Sequence, residues 1–377
     1  TANSNQMLME VMGLHLPGAA FVNPYEDLRH ALTVAATERA IAIARRGTDP
    51  RPIGRCLDER SFVNAIVGLH ATGGSTNHTL HLPAMAAAAG ITITWQDFAD
   101  LSEVTPLLAR VYPNGQADVN HFHAAGGMGY VIAELLGAGL LDGSAATVAG
   151  DSLADYACEP VLAENGLQWR GAPATSLDTA ILRPARDPHA ANGGLRMLDG
   201  VLGKSVIKIS AVAEERRLIE APAAIFDDEA SVKVAYAAGE LNRDVVVVVR
   251  GQGPQANGMP ELHSLTPMLS NLQDKGHAVA LVTDGRMSGA SGTVPAAIHV
   301  TPEAVAGGPI GRLADGDIIR LDAMAGTLDT DADLSSRAPF GPTNRAPQRG
   351  FARPLFSALR AAAGSAEQGA GLHLSET

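Results

Sequence analysis

The chain has 377 residues, 46% hydrophobic, 18% charged and 4% aromatic, with 40 glycines and a formal charge of −12. It is long enough for two domains of about 150 residues each, and its scattered charge argues against a nucleic-acid surface, which needs a clustered basic face. No apolar stretch approaches the roughly 20 residues of a membrane span, and no basic start with an apolar core marks secretion; the expectation is a cytoplasmic protein with neither nucleic acid nor membrane as partner.

From residue 1 to about 150 the pattern is mostly helical. Thr1 or Ser4 is placed to cap a first helix, since a short side-chain oxygen accepts from an unpaired first-turn amide, and Leu8, Val11 and Met12 fall on one face. A cap presupposes chain leading into it, so the sequence reads as the latter part of a longer one. Asn23-Pro24-Tyr25-Glu26 combines a cap residue, a proline and a glutamate, a pattern that opens helices, and predicts a helix to residue 46 stopped by Gly47. The apolar run 62–69 breaks at Gly73-Gly74 and restarts at Ser75 or Thr76, and a further helical segment covers 128–141.

Between 151 and 195, Pro160, Pro173, Pro184 and Pro188 predict a linker. Beyond it the period changes. Residues 204–210 alternate, while 245–249, 278–283 and 317–322 read as strands, the unbroken runs covered on both faces. One helix is expected among them, over 229–239. A β-rich unit of barrel or sandwich type over 196–350 is expected rather than a doubly wound sheet, with a loop over 330–352 and a last helix over 354–363.

The densest chemical signal is the turn after the 278–283 run, Asp284-Gly285-Arg286-Met287-Ser288-Gly289-Ala290-Ser291-Gly292. Ligands gather at strand C-termini, where amides and short side chains converge, and glycines let the backbone approach them; the alternative is an ordinary Gly/Ser turn. The stretch from Gly251 to Leu262 follows another strand. Its Glu261 is either an oxygen ligand for a hard cation such as Mg²⁺ or a helix-starting carboxylate. Gly73-Gly74-Ser75-Thr76-Asn77-His78 offers an anion site at a helix start, or plain capping. His78 with His81, and His121 with His123, lack the further ligands that zinc needs. Cys56 and Cys158 are far apart and read as core residues.

Taken together, TANSNQM, ATGGSTNH, NHFHAAGGM, GPQANGMPEL, VTDGRMSGASGTVPAAIHVTPEA and GGPIGRLADGDIIR resemble the dihydroxy-acid and 6-phosphogluconate dehydratases, in family order along nearly the whole chain. SGASG running into VPAAIHVTPEA, and the tail PLFSALRAAAGSAEQGA, are similar to the 6-phosphogluconate branch. The resemblance implies an α/β fold: the rest of an α/β catalytic domain over 1–150, the linker, a β-barrel-like domain over 196–350, and a terminal helix and tail over 351–377. It implies dehydration of 6-phospho-D-gluconate, the Entner–Doudoroff step, by a homodimer. The alternatives are a dihydroxy-acid or sugar-acid dehydratase, or a cluster-less fragment that only binds a phosphorylated sugar acid.

The implied cofactors are an iron–sulfur cluster, 4Fe–4S or 2Fe–2S, with cysteine ligands upstream of Thr1, and Mg²⁺. Neither Cys56 nor Cys158 matches a family cysteine motif. By the same resemblance Ser288 is the base that takes the C2 proton, as an alkoxide beside the metal, while cluster iron assists loss of the C3 hydroxyl. Glu261 is a metal ligand. Asp284, Arg286 and Ser291 shape the substrate pocket, with Arg286 pairing the substrate carboxylate, and Ser75, Thr76 and Asn77, together with the stretch from His121 to Gly127, form pocket walls. One departure is Gly200-Val201-Leu202, where the family reads Gly-Asn-Leu; Val201 puts that asparagine's contact in doubt.

Overall fold

The computed structural model describes residues 1–288, 292–341 and 352–372, the side chains of 352–355 excepted. The chain divides into two units, one of Thr1–His78, Met85–Thr92 and Asp100–Gly194, the other of Thr79–Ala84, Ile93–Ala99 and Leu195–Thr377.

Helices build the first unit. Ala2–Val11 buries Met7, Leu8 and Val11, with Glu10 on the same side. Thr1 takes the cap position but does not cap: its hydroxyl lies 2.9 Å from that of Ser75. The helix expected from residue 24 runs Asp27–Ile43, because Asn23 Oδ1 accepts from the Tyr25 amide and that turn holds the preceding residues out of helix. Glu59–Ala71 opens with a capping box, in which Asp58 Oδ1 accepts the Ser61 amide and Ser61 Oγ accepts the Asp58 amide. Met7, Val11, Val67 and Ala71 share one core with Tyr130, Val131 and Leu135, the last three from the Gly127–Gly137 helix.

The 151–195 stretch is more ordered than its prolines suggested. It holds an antiparallel ribbon of β1 (Cys158–Ala163) and β2 (Gly166–Gly171), whose outer edge tolerates the missing N–H of Pro160. Its later part bonds back to 107–110: the Leu107 amide donates to Ala190 O and the Arg110 amide to Ile181 O. Pairing partners distant in sequence hold it within the first unit.

The second unit is one mixed sheet of β3 (Leu195–Leu198), β4 (Lys204–Lys208), β5 (Leu218–Phe226), β6 (Val245–Val249), β7 (Val279–Thr283), β8 (Ala296–Thr301), β9 (Ile318–Asp322) and β10 (Thr327–Thr330). The order is β10-β9-β5-β6-β7-β8-β4-β3. The Asp199 amide donates to Gly326 O and the Leu202 amide to Leu328 O, so the two edges nearly close a barrel, as expected. Its centre is parallel: β5, β6, β7 and β8 run the same way, while both flanks are antiparallel. Val246, Val248, Ala280 and Val282 point into a core with Ile219 and Leu321, and Val245, Val247, Val249, Val279 and Leu281 point into another with Leu265, Leu269 and Leu272. Successive strand residues face opposite ways, so an unbroken apolar run feeds two cores.

A further helix joins the expected one against that core. Glu229–Ala237 is capped by Asp228, and Thr266–Asp274 carries a proline in its first turn. Buried Leu265 at its N-cap and Leu269 and Leu272 within it are four and three apart, a helical spacing masked by the polar residues between them. The terminal helix is Ala352–Ala361.

Candidate active site

Two groups of predicted residues fold in different units. In the first, Ser75, Thr76 and Asn77 are all buried. The Ser75 amide donates to Ser4 Oγ at 2.9 Å, the Asn77 side-chain amide donates to Thr1 Oγ1 at 2.7 Å, and the Asn77 backbone amide donates to Ser75 Oγ at 3.3 Å. The TANS and GGSTN phrases are thus fastened together by their own hydroxyls and amide. Gly73 has a φ of +59°, the left-handed region that favours glycine, and a β-carbon at Gly73 or Gly74 would push aside the tip of Asn114 or of Leu69. His121 is a helix-cap partner of Asp118, 2.8 Å from its carboxylate.

In the second unit the C-terminal ends of β6 and β7 lie side by side. Asp284 follows β7 and is fully buried. Its carboxylate accepts from the amides of Gly251, Gln252 and Ala304 at 3.0, 2.8 and 2.9 Å. Burial lifts its pKa above the carboxylate norm against the pull of those amides. Asp284 thus ties the two strand-end loops together, with both oxygens already engaged. A residue that the sequence reading did not single out repeats the device: Glu303 Oε1 and Oε2 accept the Gln255 and Ala256 amides.

Glu261 and Arg286 meet each other. A parallel bridge joins their backbones, Arg286 Nε donates to Met259 O at 2.6 Å, and its other nitrogen lies 2.9 Å from Glu261 Oε1. The carboxylate read as a metal ligand and the guanidinium read as a substrate partner neutralise one another here. Ser288 is half-buried two residues beyond Arg286, and Ser291 lies outside the described residues. Val201 is exposed and contributes its backbone, the amide donating to Asp329 Oδ1 at 2.8 Å.

His299, also missed, is fully buried on β8 with a left-handed φ of 61°. Its Nδ1 lies 3.2 Å from Thr79 Oγ1 and its Nε2 has no partner. Burial, then Arg286 and His81, push its pKa down to about 3, so the ring is neutral. Thr79 O accepts the indole N–H of Trp95 at 3.0 Å. That carbonyl is available because Pro83, four residues on in the same helix, has no N–H to donate to it.

The implied cofactors can be tested against these residues. Iron–sulfur clusters are held by thiolates, but burial raises both thiols, Cys158 to about 11, so they stay protonated. Among the described residues no three His, Cys, Asp or Glu side chains are grouped for a metal ion. Glu261 offers one carboxylate, already beside a guanidinium, whereas Mg²⁺ wants an octahedral set. The described residues fit neither group as a complete site. No helix among them is long and apolar enough to cross a membrane.

The dihydroxy-acid/6-phosphogluconate dehydratase family patterns match residues 1–156 for its N-terminal and 180–370 for its C-terminal part. Phosphogluconate dehydratase of Rhizobium meliloti is 57% identical over 98% of this chain and 62% of its own length. That of Pseudomonas aeruginosa is 56% identical over 98% of this chain and 61% of its own. Dihydroxy-acid dehydratase of Nitratidesulfovibrio vulgaris is 37% identical over 89% and 59%. The chain spans about three fifths of the length of the curated relatives it matches.

Proposed function

This chain belongs to the dihydroxy-acid/6-phosphogluconate dehydratase family, and from that premise we propose that the protein removes water from 6-phospho-D-gluconate. The observation that carries the reading is the identity of 57% and 56% to phosphogluconate dehydratases against 37% to a dihydroxy-acid dehydratase. The C2–H and C3–O bonds break, the hydroxyl leaves with a proton as water, and the enol tautomerises to 2-dehydro-3-deoxy-6-phosphogluconate.

Ser288 takes the C2 proton in this proposal. A serine hydroxyl is a base only as an alkoxide, and the half-buried position of Ser288 after the braced Asp284 turn supports that role. Arg286 swings from Glu261 to the substrate carboxylate, a guanidinium–carboxylate exchange that costs little when one pair replaces another. Ser291 completes the turn, and Ser75, Thr76 and Asn77 hold the TANS phrase in place. We further propose an iron–sulfur cluster as cofactor, with Mg²⁺ at Glu261, a homodimeric assembly and a cytoplasmic location; the family resemblance supports these.

The deciding experiment assays the full gene product for 2-keto acid from 6-phospho-D-gluconate and from 2,3-dihydroxyisovalerate. Product from the first is expected. Turnover of the second with none of the first would overturn the substrate assignment.

A further inference from the structure

Beside the Glu261–Arg286 pair a cavity of about 350 Å³ opens within the second unit, walled by His81, Met259 and Arg286 on one side and by Arg360, Gly369 and Ala370 of the terminal segment on the other. Its charge is unbalanced. Arg286 is neutralised by Glu261, but no ion pair or side-chain hydrogen bond joins the half-buried Arg360 to another described residue.

The backbone around it is strained in the way binding sites are. Only Met259, His299 and Ala370 among the described non-glycine residues have positive φ, at 53°, 61° and 54°, and two of the three line this cavity. Such conformations cost free energy and persist where surrounding structure imposes them.

The wall that carries Arg360 is anchored at several points. Gly369, at φ +80°, passes so close to an earlier helix that a β-carbon would lie 2.5 Å from Ala84 N. The Gln255 side-chain amide donates to Ala363 O at 2.9 Å, and Lys204 pairs with Glu367 at 3.0 Å. Partial burial and then Arg286 lower the His81 pKa, which favours the neutral ring.

We propose that this cavity is a phosphate subsite, in which Arg360 binds the phosphate of the phosphorylated sugar acid by paired N–H bonds and His81 supplies a further contact. A guanidinium fork matches phosphate oxygens in pairs, and the unpaired cation gives the end of the substrate remote from the reacting carbons its selectivity. The assignment rests on the sugar-acid reading above.

The test measures inorganic phosphate binding by titration calorimetry on the chain and on Arg360→Gln, Arg360→Lys and Arg320→Gln, the last a control at an exposed arginine on β9. Melting curves confirm that each variant folds. Arg360→Gln should weaken phosphate binding by about 10- to 100-fold, the value of a charge-assisted contact, Arg360→Lys by less, and Arg320→Gln not at all. In the full gene product Arg360→Gln should raise KM for 6-phosphogluconate much more than it lowers kcat, and leave the binding of D-gluconate, which has no phosphate, unaltered. Unchanged phosphate affinity in Arg360→Gln, or equal loss for 6-phosphogluconate and gluconate, overturns the subsite. If 6-phosphogluconate is not a substrate but phosphate binding still depends on Arg360, the substrate reading falls and the subsite stands.

Discussion

Glu10 shows how one side chain sets the pH response of a fold. It sits fully buried on the first helix, and burial pushes its pKa up to about 8. The amides of Ala19, Gly18 and Ala20 and the Arg29 charge pull it down in part, but none closes a hydrogen bond to the carboxylate. The folded state thus holds a proton that the unfolded chain, with an ordinary pKa near 4.5, has released. The contribution of Glu10 to stability is greatest below that value and falls as pH rises towards 8, at up to about 1.4 kcal/mol per pH unit, then levels off. Glu10→Gln keeps the shape and removes the titration, so the wild-type urea midpoint should fall relative to that of Glu10→Gln from pH 5 to 8, groups common to both, such as the buried His299, cancelling in the difference. Parallel curves would refute the assignment. Ser288 makes the opposite kind of prediction, in which function moves and stability does not. In the full gene product Ser288→Ala should lower kcat by on the order of 10²–10⁴-fold, the usual value of a positioned proton acceptor, with a melting temperature close to wild type. Ser291→Ala is the comparison, and equal small losses in both would defeat the base assignment.

Among elements, the short Pro254–Asn257 helix depends on a residue some fifty positions later. Glu303 accepts the amides of Gln255 and Ala256 in its first turn, where free N–H groups need acceptors. Gly253 makes room for it, since a β-carbon there would lie 2.3 Å from Glu303 Oε2. Gly253→Ala should therefore displace Glu303, unpair two amides and cost about 2–4 kcal/mol. Gly253→Ala combined with Glu303→Gly should lose much less than the sum of the two single changes, because removing the β-carbon of residue 303 as well as its carboxylate removes the clash. Chemical denaturation of the three variants checks this, and additive losses would show that the glycine serves some other purpose. At this scale the chain was legible where periodicity was strong: the valine run of β6, the capped Glu229–Ala237 helix and the Gly-rich turn after β7 all stood out. The Thr266–Asp274 helix and the β1–β2 ribbon did not, because polar and proline residues hide a fold that partners distant in sequence impose.

For the whole molecule, the inventory of metal ligands leads to a direct expectation. With Cys56 buried, Cys158 half-buried and both thiols raised by desolvation, and no grouped set of three ligands among the described residues, the 377-residue chain reconstituted anaerobically should take up far less than one cluster. Iron and acid-labile sulfide analysis measures it, and stoichiometric uptake would reverse the reading of Cys56 and Cys158. The sequence by itself determined the family, the order of the motifs, the two-core strands and the chemical types available at each turn, because these depend on residue identity and short-range spacing. Only the tertiary structure decided which of those side chains are free to act. It occupied Asp284 with three amides, set Arg286 against Glu261, fastened Ser75 and Asn77 to Thr1 and Ser4, and left His299 with an unpaired nitrogen. Spacing specifies what a residue can offer a ligand, but whether the offer is already taken depends on backbone groups brought close by folding, and their sequence separation carries no local signal.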